Sequence, residues 1–185
     1  HHRRFGEMAL AYCLEFVERN ELAELTIYGK YLEDHPPTHE VDIIEETSWS
    51  CAHGVERWRD DCGCSSGMNP GWTQAWRGPL RRALDWLRDQ LAPLFEREGK
   101  GLLRDPWQAR DAYIAVILDR SEASVRAFLE DHARRKLAPA EEVKALKLLE
   151  MQRHAMLMYT SCGWFFDDVT GIETTQILAY AARAI

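Results

Sequence analysis

Cys51, His53, Cys62 and Cys64 stand together in one short stretch of the chain, and all four carry side chains of the types zinc takes as ligands. Their order is C-x-H, then eight residues, then C-x-C. Paired zinc ligands are more often separated by two to four residues, so ligand type fits a metal while spacing does not. The expectation from spacing is reduced loop thiols, with no cofactor and no tightly bound metal. Zinc on Cys51, His53, Cys62 and Cys64 is the alternative.

The same stretch is rich in tryptophan. Four of the seven Trp residues, Trp49, Trp58, Trp72 and Trp76, fall in it, beside Glu45, Glu46, Arg57, Asp60 and Asp61. An indole face packs well against the C–H face of a sugar, and neighbouring carboxylates and guanidinium groups can bond its hydroxyls. The set with this chemistry is Trp49, His53, Arg57, Trp58, Asp60, Asp61 and Trp72, joined by Trp164 if the later turn shares the cleft. The competing reading makes the four clustered Trp side chains the packing of an irregular loop, because Trp is usually largely buried. Elsewhere Glu173 reads as the third position of a capping box opened by Thr170, and Cys162 as a buried thiol on a helix stripe. Asp167 and Asp168 read as a solvated turn or as part of the same cleft, and Glu150 with His154 as a solvated pair one helical turn apart.

These residues need elements to position them. Phe5, Met8, Ala9, Tyr12 and Phe16 recur at helical spacing, so Phe5 to Glu18 is expected as an amphipathic helix. Leu25–Tyr28 and Val41–Ile44 are rich in strand formers, and Pro36-Pro37 must end any turn begun at Tyr31. Ser48 to Thr73 has no sustained period and is expected as loops, with one short helix around Gly54 to Arg59. Leu80, Leu84, Leu87, Leu91 and Leu94 then mark one stripe of a long helix behind Pro79, which Pro93 should kink or end. Asp105 caps a helix with Pro106 in its first turn, and Tyr113 to Leu118 reads as a central buried helix. Ser121 caps a helix reaching about Arg135, Pro139 opens a long one, and a last one closes the chain. The fold class is mainly α: a helical bundle with an irregular Trp/Cys-rich insert and at most one or two short strands.

Composition bounds the function classes. A net charge of −7 over 185 residues argues against a general phosphate-binding surface, and so against nucleic acid. No apolar run reaches the roughly 20 residues of a membrane span, and nothing has the pattern of a signal peptide. Five cysteines without an export signal point to reduced thiols in a cytoplasm.

The runs Tyr28-Gly29-Lys30-Tyr31-Leu32, His35-Pro36-Pro37-Thr38-His39-Glu40-Val41 and Glu45-Glu46-Thr47-Ser48-Trp49-Ser50-Cys51 resemble a stretch of large bacterial and archaeal proteins. Those carry a glycoside hydrolase family 57 catalytic domain followed by a domain of unknown function. The closing runs Tyr159-Thr160-Ser161-Cys162-Gly163-Trp164-Phe165-Phe166-Asp167-Asp168 and Gly171-Ile172-Glu173-Thr174-Thr175-Gln176 are similar to the same group. The resemblance implies an α-glucan-active parent with an α/β barrel that retains configuration. Retention uses two carboxyls about 5 Å apart, one attacking carbon and one protonating the leaving oxygen. In that family the acid lies in a motif like Asp-Gly-Glu-x-Tyr-Gly, which this chain lacks along with the earlier nucleophile motif, so no catalytic residue carries over. The opening His1-His2-Arg3-Arg4-Phe5-Gly6-Glu7 reads either as the tail of that motif or as remnants of a tag. The resemblance therefore implies a non-catalytic C-terminal helical portion, supporting or rimming an α-glucan or maltooligosaccharide cleft. It would be a single helical domain over 1–185, in which 1–73 helps complete the barrel and 74–185 is the bundle proper. Its partner would be the N-terminal catalytic domain of the same parent chain. The alternative is a metal-binding, structural or partner-binding helical domain with no sugar role.

Overall fold

The computed structural model describes residues 5–67 and 69–185. The first four residues, on which the motif-tail or tag reading partly rests, lie outside them. Contacts divide the chain into two units, His1–Ile44 and Glu45–Ile185. The protein is mainly helical. Among the described residues there is no strand, only an isolated antiparallel bridge between Leu103 and Ala133.

In the first unit α1 spans Glu7–Arg19 and α2 spans Tyr28–Asp34. The predicted apolar stripe is present on α1, yet Phe5, Met8, Tyr12 and Phe16 are all exposed, and none of the described residues up to Ile44 is buried. Neither expected strand forms. Tyr28 opens α2 instead, and that helix stops one residue short of Pro36, whose ring disfavours helical geometry in the residue before it.

The second unit contains a 3-10 turn at Glu56–Trp58, followed by α3 (Arg77–Gly99), α4 (Pro106–Ala112), α5 (Ile114–Leu118), α6 (Glu122–His132), α7 (Pro139–Leu157), α8 (Cys162–Phe165) and α9 (Ile172–Arg183). Asp105 caps α4 by accepting the Trp107 and Gln108 N–H groups at 2.9 and 3.0 Å, and Ser121 caps α6 by accepting from Ser124 N–H. Each such cap is worth about 1 kcal/mol. Two apolar clusters form. One joins Phe95 and Leu103 to Tyr113, Val116, Phe128 and Leu149; the other joins Leu84 and Leu91 to Met158, Trp164 and Ile177, with Trp58 and Trp76 packed against it. Each fully buried large side chain contributes roughly 1.5–3 kcal/mol. Helix α3 thus serves both clusters, the first through Phe95 and the second through its leucine stripe, with Leu84 and Leu91 buried and Leu80 and Leu87 partly so.

Several local expectations are corrected. Pro93 does not end α3, because Pro93 and Asp89, whose carbonyl loses its helical partner, both lie on the exposed face where water can satisfy it. The Tyr113–Leu118 run is not a central helix: Tyr113 and Val116 are buried, while Ile114 and Leu118 face out. Helix α6 stops at His132, where Ala133 turns extended and Arg134 N–H bonds the Leu102 carbonyl. Helix α7 ends at Leu157, so Cys162 starts the next short helix and is exposed. The capping box at Thr170 does not form; Gly171 takes the cap position, and Thr170 bonds the Asp168 carboxylate through both N–H and hydroxyl.

Glu150 is a hub and not half of a solvated pair. Its carboxylate accepts the Tyr113 hydroxyl at 2.9 Å, Arg120 at 2.8 Å and Arg153 at 3.2 Å, whereas His154 stands 3.9 Å away. Burial by itself pushes this carboxyl up, but the Arg120 and Tyr113 bonds outweigh it and hold Glu150 below its ordinary range; the same site pushes the Tyr113 phenol up to about 12. A depressed carboxyl adds stability that is complete above its ordinary value of 4.5 and is lost as pH falls through the lower folded value. Glu150→Gln is expected to cost about 1–3 kcal/mol at neutral pH. It should also flatten the acid limb of stability against pH, measured by denaturant unfolding between neutral and acid pH.

Candidate functional site

The ligand-type residues that spacing spoke against are brought together. One ligand atom from each of Cys51, His53, Cys62 and Cys64 lies within 4.8 Å of the others. Cys51 Sγ is 3.7 Å from Cys62 Sγ and 3.8 Å from Cys64 Sγ, and Cys64 Sγ is 3.6 Å from His53 Nδ1. The three cysteines are free thiols. Cys51 is buried, Cys62 and Cys64 half-buried, and His53 exposed. Burial pushes the Cys51 thiol up, but the backbone N–H groups of Arg57 and His53, with the Cys62 and Cys64 thiols, outweigh it and bring it down to about 6. Cys62 moves the other way, raised by burial and by its thiol neighbours despite a bond from the Cys64 N–H.

Two glycines make the loops that hold these side chains. Gly54 has φ +76°, and a Cβ there would stand 2.4 Å from the Glu46 carbonyl, so only glycine allows the chain to close behind His53. The Ser48 hydroxyl fastens that closure by donating to the Gly54 carbonyl at 2.8 Å. Gly63, at φ +80°, turns the backbone between Cys62 and Cys64.

The insert is fixed to the bundle from behind. Arg77, fully buried at the start of α3, donates to the Cys64 carbonyl at 2.7 Å and to the Phe165 and Phe166 carbonyls at 3.3 and 3.4 Å. Arg57 is also buried; it donates to the Phe165 carbonyl and lies 4.7 Å over the Phe165 ring. Burial, and then the Arg57 charge, push Arg77 below the ordinary guanidinium value, while Cys62, Asp167 and Asp61 oppose them. Asp167 accepts the Ser66 N–H at 2.8 Å and its hydroxyl at 2.6 Å. Trp58 donates to the Ser161 carbonyl, and Arg81 donates to that of Trp58.

The expected sugar-contacting set divides. Trp49 is 91% exposed, with its ring centroid 5.8 Å from that of Phe165, and His53, Asp60, Asp61 and Trp72 are also exposed. Trp58 is half-buried. Arg57 and Trp164 turn inward, the latter 1% exposed with its indole N–H aimed at the Arg77 carbonyl, so neither reaches a surface where a sugar could lie. Trp76 is half-buried as well and donates to the Asp167 carbonyl. A groove of about 820 Å³, lined among others by Arg104, Arg126, Leu129, Arg135 and Leu137, lies away from all of these residues. Sequence reasoning missed Arg77 and took Asp167 for a turn or cleft residue. A basic residue and an acidic one far apart in sequence give no local sign that they meet the same loop.

Residues 72–185, more than half of the chain, match the family described as Domain of unknown function (DUF3536). The chain belongs to that family. The match begins after the thiol cluster, so the DUF3536 region supplies the back wall (Arg77, Phe165, Phe166 and Asp167) while the preceding insert supplies the four ligand-type residues. No curated protein and no solved structure matches the chain.

Asp167 is the test of the brace. Asp167→Asn keeps the shape but removes the charge that receives Ser66, and is expected to cost about 1–3 kcal/mol in denaturant unfolding. Limited proteolysis should then cut the chain near Ser66 faster than in the parent protein, with the α7 region cut no faster.

Proposed function

We propose that the chain is the non-catalytic C-terminal helical portion of a glycoside hydrolase family 57-like carbohydrate-active protein, rimming an α-glucan cleft. The resemblance of the runs around Tyr28–Cys51 and Tyr159–Gln176 supplies the family. The observation that carries the sugar role is Trp49. Its indole is almost wholly exposed, yet its loop is fastened by Ser48 and Gly54 and its ring sits beside Phe165, over which the Arg57 guanidinium also lies. An aromatic face that folding leaves in water, held on a braced support, suits the apolar face of a pyranose. Asp60, Asp61 and Trp72 are exposed residues of the same insert that can add polar and stacking contacts.

The partner in this reading is the catalytic domain of the same parent chain. The apolar side chains of α1 and α2, including Phe5, Tyr12, Phe16 and Tyr31, find no core within the described residues. Apolar surface of that extent marks an interaction face. The chain itself carries neither the nucleophile motif nor the acid motif of the resembled family, so it positions substrate and performs no hydrolysis.

Maltooligosaccharide at millimolar concentration is expected to shift the tryptophan emission of the isolated chain, and Trp49→Ala to remove most of the shift. Trp86→Ala, on the exposed face of α3, should leave it intact. Absence of any shift, or one unaffected by Trp49→Ala, would rule out the sugar role. Hydrolysis of amylose by the isolated chain, persisting after removal of host enzymes, would overturn its non-catalytic assignment.

A further inference from the structure

We propose that Cys51, His53, Cys62 and Cys64 form a closed, structural Cys3His zinc site that fixes the loops of the insert where Arg77 of the DUF3536 bundle meets them. The first support is metric. With Zn–S bonds of about 2.3 Å and Zn–N bonds of about 2.0–2.1 Å, a tetrahedral site has S···S edges of about 3.8 Å and S···N edges of about 3.6 Å. The Cys51–Cys62 and Cys51–Cys64 separations are 3.7 and 3.8 Å, and the Cys64–His53 separation is 3.6 Å. No ligand pair is farther apart than 4.8 Å, so the remaining edges close with a small inward rotation. Thiols packed only as small hydrophobes have no reason to gather around an imidazole at these separations.

The second support lies in the backbone around the sulfurs. Cys51 Sγ receives the His53 and Arg57 N–H groups, and Cys62 Sγ receives the Cys64 N–H. In both the C-x-H and the C-x-C segments, therefore, the N–H of the second ligand residue points back at the sulfur of the first. Such donors stabilise metal-bound thiolates and orient them. The positive φ at Gly63, between one pair of ligands, and at Gly54, directly after the other, lets each loop curl far enough to do this.

The third support is charge. Arg57 and Arg77 are permanent cations, 4% and 0% exposed, and Asp167 is the only carboxylate among the buried described residues. Two buried guanidinium groups thus face one buried carboxylate, with the exposed Asp61 adding a further negative charge toward Arg77. Three thiolates and one neutral imidazole around Zn²⁺ carry a net single negative charge, and Arg77 bonds the carbonyl of one of those ligands, Cys64. Buried cations whose counter-charge is incomplete are costly, so an anionic metal-bound cluster adds to Asp167 and Asp61 a negative charge that neutral thiols do not supply. Four protein ligands leave no open position, which makes the site structural. The assignment is independent of any sugar role.

The whole chain, purified in reductant without chelator, is expected to hold one zinc per chain by elemental analysis. After removal of zinc, Co²⁺ should give the visible d–d bands of a tetrahedral site together with thiolate-to-cobalt charge transfer. The charge-transfer band distinguishes this site from metal bound by His1-His2. Cys62→Ser and His53→Ala should each weaken zinc binding at least tenfold against a chromophoric chelator, while Cys13→Ser and Cys162→Ser leave it unchanged. His53 is exposed, so its replacement need not disturb the core. The proposal is overturned if the reduced parent chain holds no zinc and gives no thiolate–cobalt band. It is equally overturned if zinc binding survives Cys62→Ser and His53→Ala combined, in a variant whose circular dichroism remains helical.

Discussion

A guanidinium with no access to water sets the geometry of the insert. Arg77 opens α3 at zero exposure, and its forked donors reach the carbonyls of Cys64, Phe165 and Phe166. A lysine would offer one compact charge; the planar fork can hold two chain segments at once. Carbonyl oxygens also satisfy donors without neutralising charge, so the interaction orders the surrounding backbone while leaving an electrostatic demand in place. Arg57 adds a second guanidinium at Phe165, with one donor on the same carbonyl and its charge over the ring. The Nε groups of both side chains are without a hydrogen-bond partner. Two such groups side by side are expensive, and the chain keeps them because they hold a loop that has no secondary structure of its own.

The aromatic residues of the insert follow from that support. Trp58 and Trp76 are half-buried because their N–H groups reach the carbonyls of Ser161 and Asp167, which belong to the α7–α8 connection and to the segment after α8. Trp164 fills the apolar cluster beneath them. Trp49 alone of the clustered indoles stays almost wholly in water, although its loop is closed by the Ser48–Gly54 bond. Tryptophan thus plays two parts in this insert. Buried or half-buried, it gives apolar area with one polar handle; exposed on a fastened loop, it gives a surface that folding does not use.

What the sequence made legible is what depends on neighbours three or four residues away. The leucine stripe of α3, the Asp105 and Ser121 caps and the Pro139 start all appear where periodicity and capping chemistry put them. Errors entered wherever a residue answered to something distant. Pro93 is tolerated because its face of the helix meets water, Cys162 is exposed because α7 stops short of it, and Thr170 gives its hydroxyl to Asp168 instead of capping α9. The stretches read as strands had strand-forming composition but no partner to pair with, and an unpaired extended segment gains no ladder bonds. The convergence of the thiol cluster was not legible in the sequence either. Linear spacing was weighed against known ligand spacings, yet convergence depends on two positive-φ glycines and a guanidinium from another element, none of which spacing expresses.

That dependence also defines what the DUF3536 region can be by itself. Its match begins at Trp72, after the last of the four ligand-type residues. Within the matched region stand Arg77, whose best donor contact is the Cys64 carbonyl, and Asp167, which accepts two bonds from Ser66. Without the insert, a guanidinium buried at the head of α3 would lose its shortest hydrogen bond, and Trp76 and Trp164 would lose the cover that Trp58 contributes to their cluster. An unsatisfied buried charge costs more than the bond it once made. The matched helices and the unmatched loop are therefore one folding problem. The insert needs the bundle for its geometry, and the bundle needs the insert to satisfy the charge at its base.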